Sequence, residues 1–157
     1  MPVDYLTDEE YRLAYGLVPR LCVDLVIKDA RGVLLLKREQ KPYKGLWHLP
    51  GGRVRKGETL SDASKRIAMG EIGRHIEITG KLGVLEFPHD DGDLGNFHSV
   101  SIVFAAKITS ARVQKSGQTM FFGGDYSGYQ LHPIHRDFLV SEKLIEAQNK
   151  QFIPKEQ

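Results

Sequence analysis

Residues 51–74, GGRVRKGETLSDASKRIAMGEIGR, decide how the chain is read. Two glycines follow Pro50, so a short strand ends there in a sharp turn of a kind that glycine tolerates. Backbone carbonyls in such a turn can point outward as hard oxygen ligands. Thr59–Ile72 then reads as a helix, because Leu60, Ala63, Ile67, Ala68 and Ile72 recur near the 3.6-residue period and make one apolar stripe. Gly73 closes it. Positions 67, 70 and 71 share one helix face. On that face only Glu71 bears a carboxylate, since Ile67 and Gly70 donate nothing. Oxygen donors of this kind suit Mg²⁺, with Mn²⁺ as the substitute, rather than zinc. A single carboxylate there supports one ion at most.

The rest of the chain bounds the reading. A length of 157 residues is one ordinary domain, 1–157, able to bury a real core. A net charge of +2 and no concentrated basic patch argue against nucleic acid as a partner. No apolar run is long enough to span a membrane and no signal peptide is visible, so a cytoplasmic location is the expectation. The single Cys22 excludes an internal disulfide, and its apolar surroundings read as those of an inert core thiol.

Outward from residues 51–74 the elements are short. Thr7-Asp8-Glu9-Glu10 has the form of a capping box opening a helix from Asp8 to about Gly16. Arg20–Lys28 and Val33–Arg38 are apolar and β-branched, with Asp29-Ala30-Arg31-Gly32 as a hairpin turn between them. Leu46–Leu49 is a short strand stopped by Pro50. Lys81–Phe87 and Ser99–Ile108 read as strands joined by a polar loop, His89–Asn96. A late strand is placed within Tyr129–His132, and Pro133 opens a final helix ending near Lys150. His132-Pro133-Ile134-His135 has the spacing of a metal pair without carboxylates beside it, which a strand-to-helix junction explains. Strands around one central helix, with helices at the ends, give an α+β layered domain.

The stretch 51–74 resembles the Nudix box, G-x5-E-x7-R-E-U-x-E-E-x-G-U, with Gly52, Glu58, Arg66, Glu71 and Gly73 in register. Ile67, Gly70 and Arg74 depart from it. The resemblance implies a Nudix α/β/α sandwich with a mixed β-sheet, a Mg²⁺-dependent hydrolase, and Arg66 as an orienter tying Glu58 or the loop to the helix. One branch shows the same loss of glutamates. The chain is similar to GDP-mannose mannosyl hydrolases from about Arg20 to about Phe104, through Leu34–Arg38, Gly45-Leu46-Trp47 and Pro50–Val54. What this implies is specific. The Gly51 carbonyl and Glu71 hold the metal. Asp24, Arg38 and Arg53 bind the substrate, and Arg38 also stabilises the leaving diphosphate. The substrate is a nucleotide sugar, cut at sugar C1 by water, and the assembly is a homodimer.

The branch takes its general base, a His, from a loop that corresponds here to Phe121–Gly128, where neither His nor Gln occurs. Asp125 is the nearest group there with base capacity. His98, which aligns with another family histidine, is the second candidate. Two further readings stay open: a P–O-cleaving pyrophosphatase on ADP-ribose or a nucleotide, which carboxylates converging from Glu86, Asp90 or Asp91 would favour, and a non-catalytic nucleotide-binding module.

Overall fold

The structure, a computed structural model, describes residues 6–39, 43–111, 117–124, 126 and 128–146. Among them the order is α1 (Asp8–Leu17), β1 (Arg20–Asp29), β2 (Gly32–Lys37), β3 (Trp47–His48), β4 (Gly51–Arg53), α2 (Leu60–Ile72), β5 (Ile76–Gly92), β6 (Gly95–Ile108), β7 (Thr119–Phe122) and α3 (Pro133–Ser141). The strands form one mixed sheet in the order β3-β2-β1-β6-β5, with β4 also on β1 and β7 on β2. Only β1 and β6 pair in parallel; the other ladders are antiparallel.

Burial explains the layering. Val23, Leu25 and Ile27 of β1 and Leu34 and Leu36 of β2 pack with Ile67, Ala68 and Ile72 of α2. The alternate residues Val26, Val33 and Leu35 pack with Leu85, Val103 and Leu139 on the opposite face, where α3 lies. A strand covered on both faces must be apolar almost throughout, as β1 and β2 are. The α/β/α sandwich with a mixed sheet is therefore observed as expected.

The helix starts were legible. Thr7 Oγ1 accepts from the Glu10 N–H and Glu10 Oε2 accepts from the Thr7 N–H, completing the capping box of α1. Thr59 caps α2, and Gly73 ends it in the left-handed conformation.

Three expectations need correction. His89–Asn96 is not a loop: β5 runs to Gly92 and β6 starts at Gly95, so most of the segment is a strand pair with Asp90 opposite Phe97 and Asp91 opposite Asn96. Its side chains are mostly exposed, so the segment lacks the apolar signal of a strand; a register shift between Phe87 and Asp90 further breaks its period. The late strand is β7, on β2; Tyr129–His132 supplies only an isolated bridge from Leu131 to Trp47. The helix that Pro133 opens ends at Ser141, and residues 147–157 lie outside the described residues.

Leu139 is fully buried and anchors α3 on the sheet. Leu139→Ala should lower unfolding stability by about 2–5 kcal/mol, the usual range for a truncated core leucine. Denaturant unfolding checks it; a change under about 1 kcal/mol would mean that α3 does not depend on this contact.

Candidate functional site

One face of β1 builds the floor of a pocket of about 260 Å³. Side chains alternate along a strand, so Arg20, Cys22 and Asp24 point the same way, and all three line the pocket. The parallel register sets Ser99 beside Arg20 and Ser101 beside Cys22. The antiparallel register on the other side sets Arg53 beside Cys22 and Gly51 beside Asp24. Gly51 has to be glycine at this distance. A Cβ there would lie 2.1 Å from Asp24 Oδ1 and 2.8 Å from the Val23 carbonyl oxygen.

The box loop is fixed from behind. Arg66 donates from Nε to Glu58 Oε1 at 2.5 Å, and from Nη2 to Glu58 Oε2 at 3.0 Å and to the Arg53 carbonyl at 2.8 Å. Glu58 also accepts from the Arg55 N–H at 2.8 Å. Its side chain is 7% exposed, and the Arg66 guanidinium first of all holds its carboxyl below the usual range. Arg66 is thus the orienter that the box spacing implies.

At the rim, the Arg20 guanidinium donates to Asp90 Oδ2 and Ser99 Oγ, each at 2.7 Å, and to the Tyr11 hydroxyl at 2.6 Å. Arg53 donates to the Tyr15 hydroxyl at 3.1 Å and lies over the rings of Tyr11 and Tyr15. Two aromatic residues of α1 therefore lie against two arginines of the pocket.

The remaining wall was not foreseen. His48, His132 and His135 all line the pocket. β3 brings His48, and α3 brings the other two: His132 is its N-cap and His135 lies in its first turn. The Trp47 N–H donates to the Gln130 carbonyl and the His132 N–H to the Trp47 carbonyl, each at 2.8 Å, which pins the start of α3 to β3. The histidine pair thus sits where the single bridge at Leu131 leads into α3, rather than at the expected strand end, and this helix start delivers both rings to the pocket. No local signal could show that His48 joins them.

Polar atoms are left over here. His135 Nε2, His132 Nδ1 and Ser101 Oγ are buried without a hydrogen-bond partner, and His135 Nε2 is 3.5 Å from Asp24 Oδ1. Burial of unpartnered polar atoms is unfavourable, and here they line a cavity that can admit a polar ligand. Burial also moves the titrations. His132 is pulled down to about 4, by desolvation first and by His135 and His48 next. Cys22 is pushed up to about 11, mainly by desolvation. Cys22 is therefore unreactive as expected, but it stands in the pocket wall rather than in the core.

Of the residues singled out in the sequence, Asp24, Arg38, Gly51 and Arg53 converge on this pocket. Glu71 and His98 are exposed and are not among its lining residues. Asp125 lies outside the described residues. Among the described residues no three His, Cys, Asp or Glu side chains are placed to hold one metal ion. The box helix offers Glu71, exposed like its neighbour Gly70, with Ile67 buried, and Gly51 offers a carbonyl. Gly51 lines the pocket and Glu71 does not; both are oxygen donors of the kind Mg²⁺ takes, and Mg²⁺ commonly completes its shell with phosphate and water. No described helix is long and apolar enough to cross a membrane.

The depressed titration of His132 has a consequence for stability. In the unfolded chain an ordinary histidine titrates near 6.5, above the folded value. The unfolded state therefore binds the proton more readily, and stability falls as pH drops from about 6.5 towards 4. Thermal melts from pH 7 to pH 5 should show a shallower loss in His132→Gln than in the wild type; parallel slopes would contradict the burial of this ring.

Comparison with known proteins places this geometry. Residues 18–154 match the NUDIX domain family. The chain is 34% identical over 144 residues to the low-salt glycan biosynthesis protein Agl8 of Haloferax volcanii, covering 88% of this chain and 91% of that protein. It is 35% identical over 106 residues to an ADP-ribose pyrophosphatase of Methanocaldococcus jannaschii, covering 68% of this chain and 60% of that one. The crystal structure of a MutT NUDIX hydrolase from Burkholderia pseudomallei superposes with a TM-score of 0.61 at 26% identity, over 78% of this chain and 96% of that chain. The box register, the layered fold and these matches agree: the chain belongs to the Nudix hydrolase family.

Proposed function

We propose that the protein hydrolyses a nucleoside diphosphate sugar, GDP-mannose-like in class, by attack of water at sugar C1 with release of the nucleoside diphosphate. The observation that carries this reading is the thinned metal face of α2. Ile67 is turned into the core, 4% exposed, and Gly70 has no side chain, so Glu71 is the one carboxylate on that face. P–O cleavage at a diphosphate draws on several ligands to assist both nucleophile and leaving group. C–O cleavage needs the diphosphate only as a leaving group. Arg38 and Arg53 at the pocket suit that role, because guanidinium groups match phosphate oxygens with forked, charge-assisted bonds. The glycan biosynthesis relative supports a sugar-linked substrate.

Gly51 and Glu71 would hold Mg²⁺. When bound, the ion supplies positive charge to the diphosphate. The chain's own groups do the rest: the arginines orient and neutralise the leaving group, Asp24 faces the same space, and imidazoles line the wall opposite. Asp125 and His98 remain the base candidates read from the sequence, and the exposure of His98 weakens its case.

A second reading has its own observation. Asp90 and Asp91 line the pocket, and the Methanocaldococcus relative is an ADP-ribose pyrophosphatase. Against it, Asp90 is engaged by Arg20 and Ser99, and Asp91 accepts from Asn96 at 2.7 Å. Glu86 is exposed and does not line the pocket.

Hydrolysis in ¹⁸O-labelled water separates the two. Label in the released sugar is the expected result; label in the nucleotide phosphate would establish P–O cleavage instead. Glu71→Gln preserves volume and removes the anionic ligand. Even partners behind a metal ligand cost about 10–100-fold in affinity or activity when changed, so Mg²⁺ affinity and turnover should fall by at least about 10-fold. Equal Mg²⁺ titrations for the two proteins would show that Glu71 does not hold the ion.

A further inference from the structure

We propose that His48 takes the proton from the attacking water, and that the single residue Leu49 prepares it by fixing opposite tautomers in His48 and His135. This rests on the reading of the pocket as a site of sugar C1 hydrolysis.

Hydrogen-bond chemistry dictates the tautomers. A carbonyl oxygen only accepts and a backbone N–H only donates. The Leu49 carbonyl is 2.8 Å from His48 Nδ1, so Nδ1 carries a proton. In the neutral ring the lone pair is then on Nε2. The Leu49 N–H donates to His135 Nδ1 at 3.1 Å, so the proton of His135 is on Nε2. The two rings stand with centroids 6.4 Å apart and both line the pocket. One therefore presents an acceptor and the other a donor.

The roles follow. His135 spends its lone pair on a buried amide and has none left for a proton. Its Nε2–H is buried 3.5 Å from Asp24 Oδ1, so it faces a carboxylate and offers no acceptor. His132 lies 5.1 Å from His135 between ring centroids, but its Nδ1 has no partner to fix the tautomer. His48 alone of the three has its donor nitrogen held by the backbone, the arrangement that orients a general base. Burial first holds His48 below the ordinary histidine range, with His135 and Arg38 adding to it, against the bond to the Leu49 carbonyl and the charge of Asp24, which act the other way.

In the step, the water oxygen bonds to sugar C1 as the C1–O bond to the diphosphate breaks. The bonding pair leaves on the phosphate oxygen, and one water proton passes to His48 Nε2. The products are the free sugar, the nucleoside diphosphate and an imidazolium that returns its proton to solvent.

Two measurements test this. Long-range ¹H–¹⁵N spectra of ring-labelled protein at pH 7.5, assigned through His48→Asn and His135→Asn, read the tautomers without substrate. His48 should be protonated on Nδ1 and His135 on Nε2; the same tautomer in both rings, or the reverse pair, overturns the role given to Leu49. For the proton transfer, His48→Asn keeps a donor at the Nδ1 position and removes the Nε2 acceptor, which favours a folded variant. Its kcat should fall by about 10²–10⁴-fold, with KM and nucleoside diphosphate binding by calorimetry changed far less and with partial recovery in added imidazole. Undiminished kcat in a folded His48→Asn overturns the assignment. A wild-type protein that frees no sugar from any nucleoside diphosphate sugar overturns the reading of the site itself, a result distinct from an active wild type with an active variant.

Discussion

The Arg66–Glu58 pair holds the box in shape, and the pocket depends on it. The carboxylate is almost completely covered and meets the guanidinium at two oxygens, while a third Arg66 bond reaches the Arg53 carbonyl. A covered carboxylate left without its charged partner is unfavourable, so removing either residue does more than cut a surface contact. The pair keeps β4 between β1 and α2. That position sets Gly51 against Asp24 and Arg53 beside Cys22, and from it the β4 side of the pocket follows.

The sequence disclosed what depends on local chemistry. The capping box of α1, the Gly73 terminus and the apolar stripe of α2 each follow from residues within a few positions of one another. So does the likeness of 51–74 to the Nudix box, which located Gly51, Arg53 and, through the flanking motifs, Asp24 and Arg38. What could not be read depends on distance along the chain. The polar half of the β5–β6 hairpin has no apolar side to announce it, and β7 is recognisable only by its partner β2. The histidine wall is the clearest case. Leu49 and His135 are 86 residues apart, and neither neighbourhood hints at the other.

The site divides into two chemical halves. The β4 side is cationic and offers oxygen ligands, which suits a diphosphate. The β3–α3 side carries the imidazoles of His48, His132 and His135, which fits the sugar of the proposed substrate. Replacement of two box glutamates by Ile67 and Gly70 fits this division. The isoleucine that displaces a ligand also packs on the box strand, since a Cβ on Gly52 would meet Ile67 at 3.4 Å.

The parallel pairing of β1 with β6 bears on how the molecule is made. Arg20 and Ser99 lie 79 residues apart in sequence yet side by side in the floor. Closing a loop of that length carries an entropic cost that must be met before the contacts reward it, and chains rich in such pairings fold slowly. A ribosome-bound chain cannot assemble the floor until β6 has emerged, nor the histidine wall until α3 has. The pocket is therefore a late product of folding, and its arginines and unpartnered polar atoms remain in water until the two halves of the chain meet.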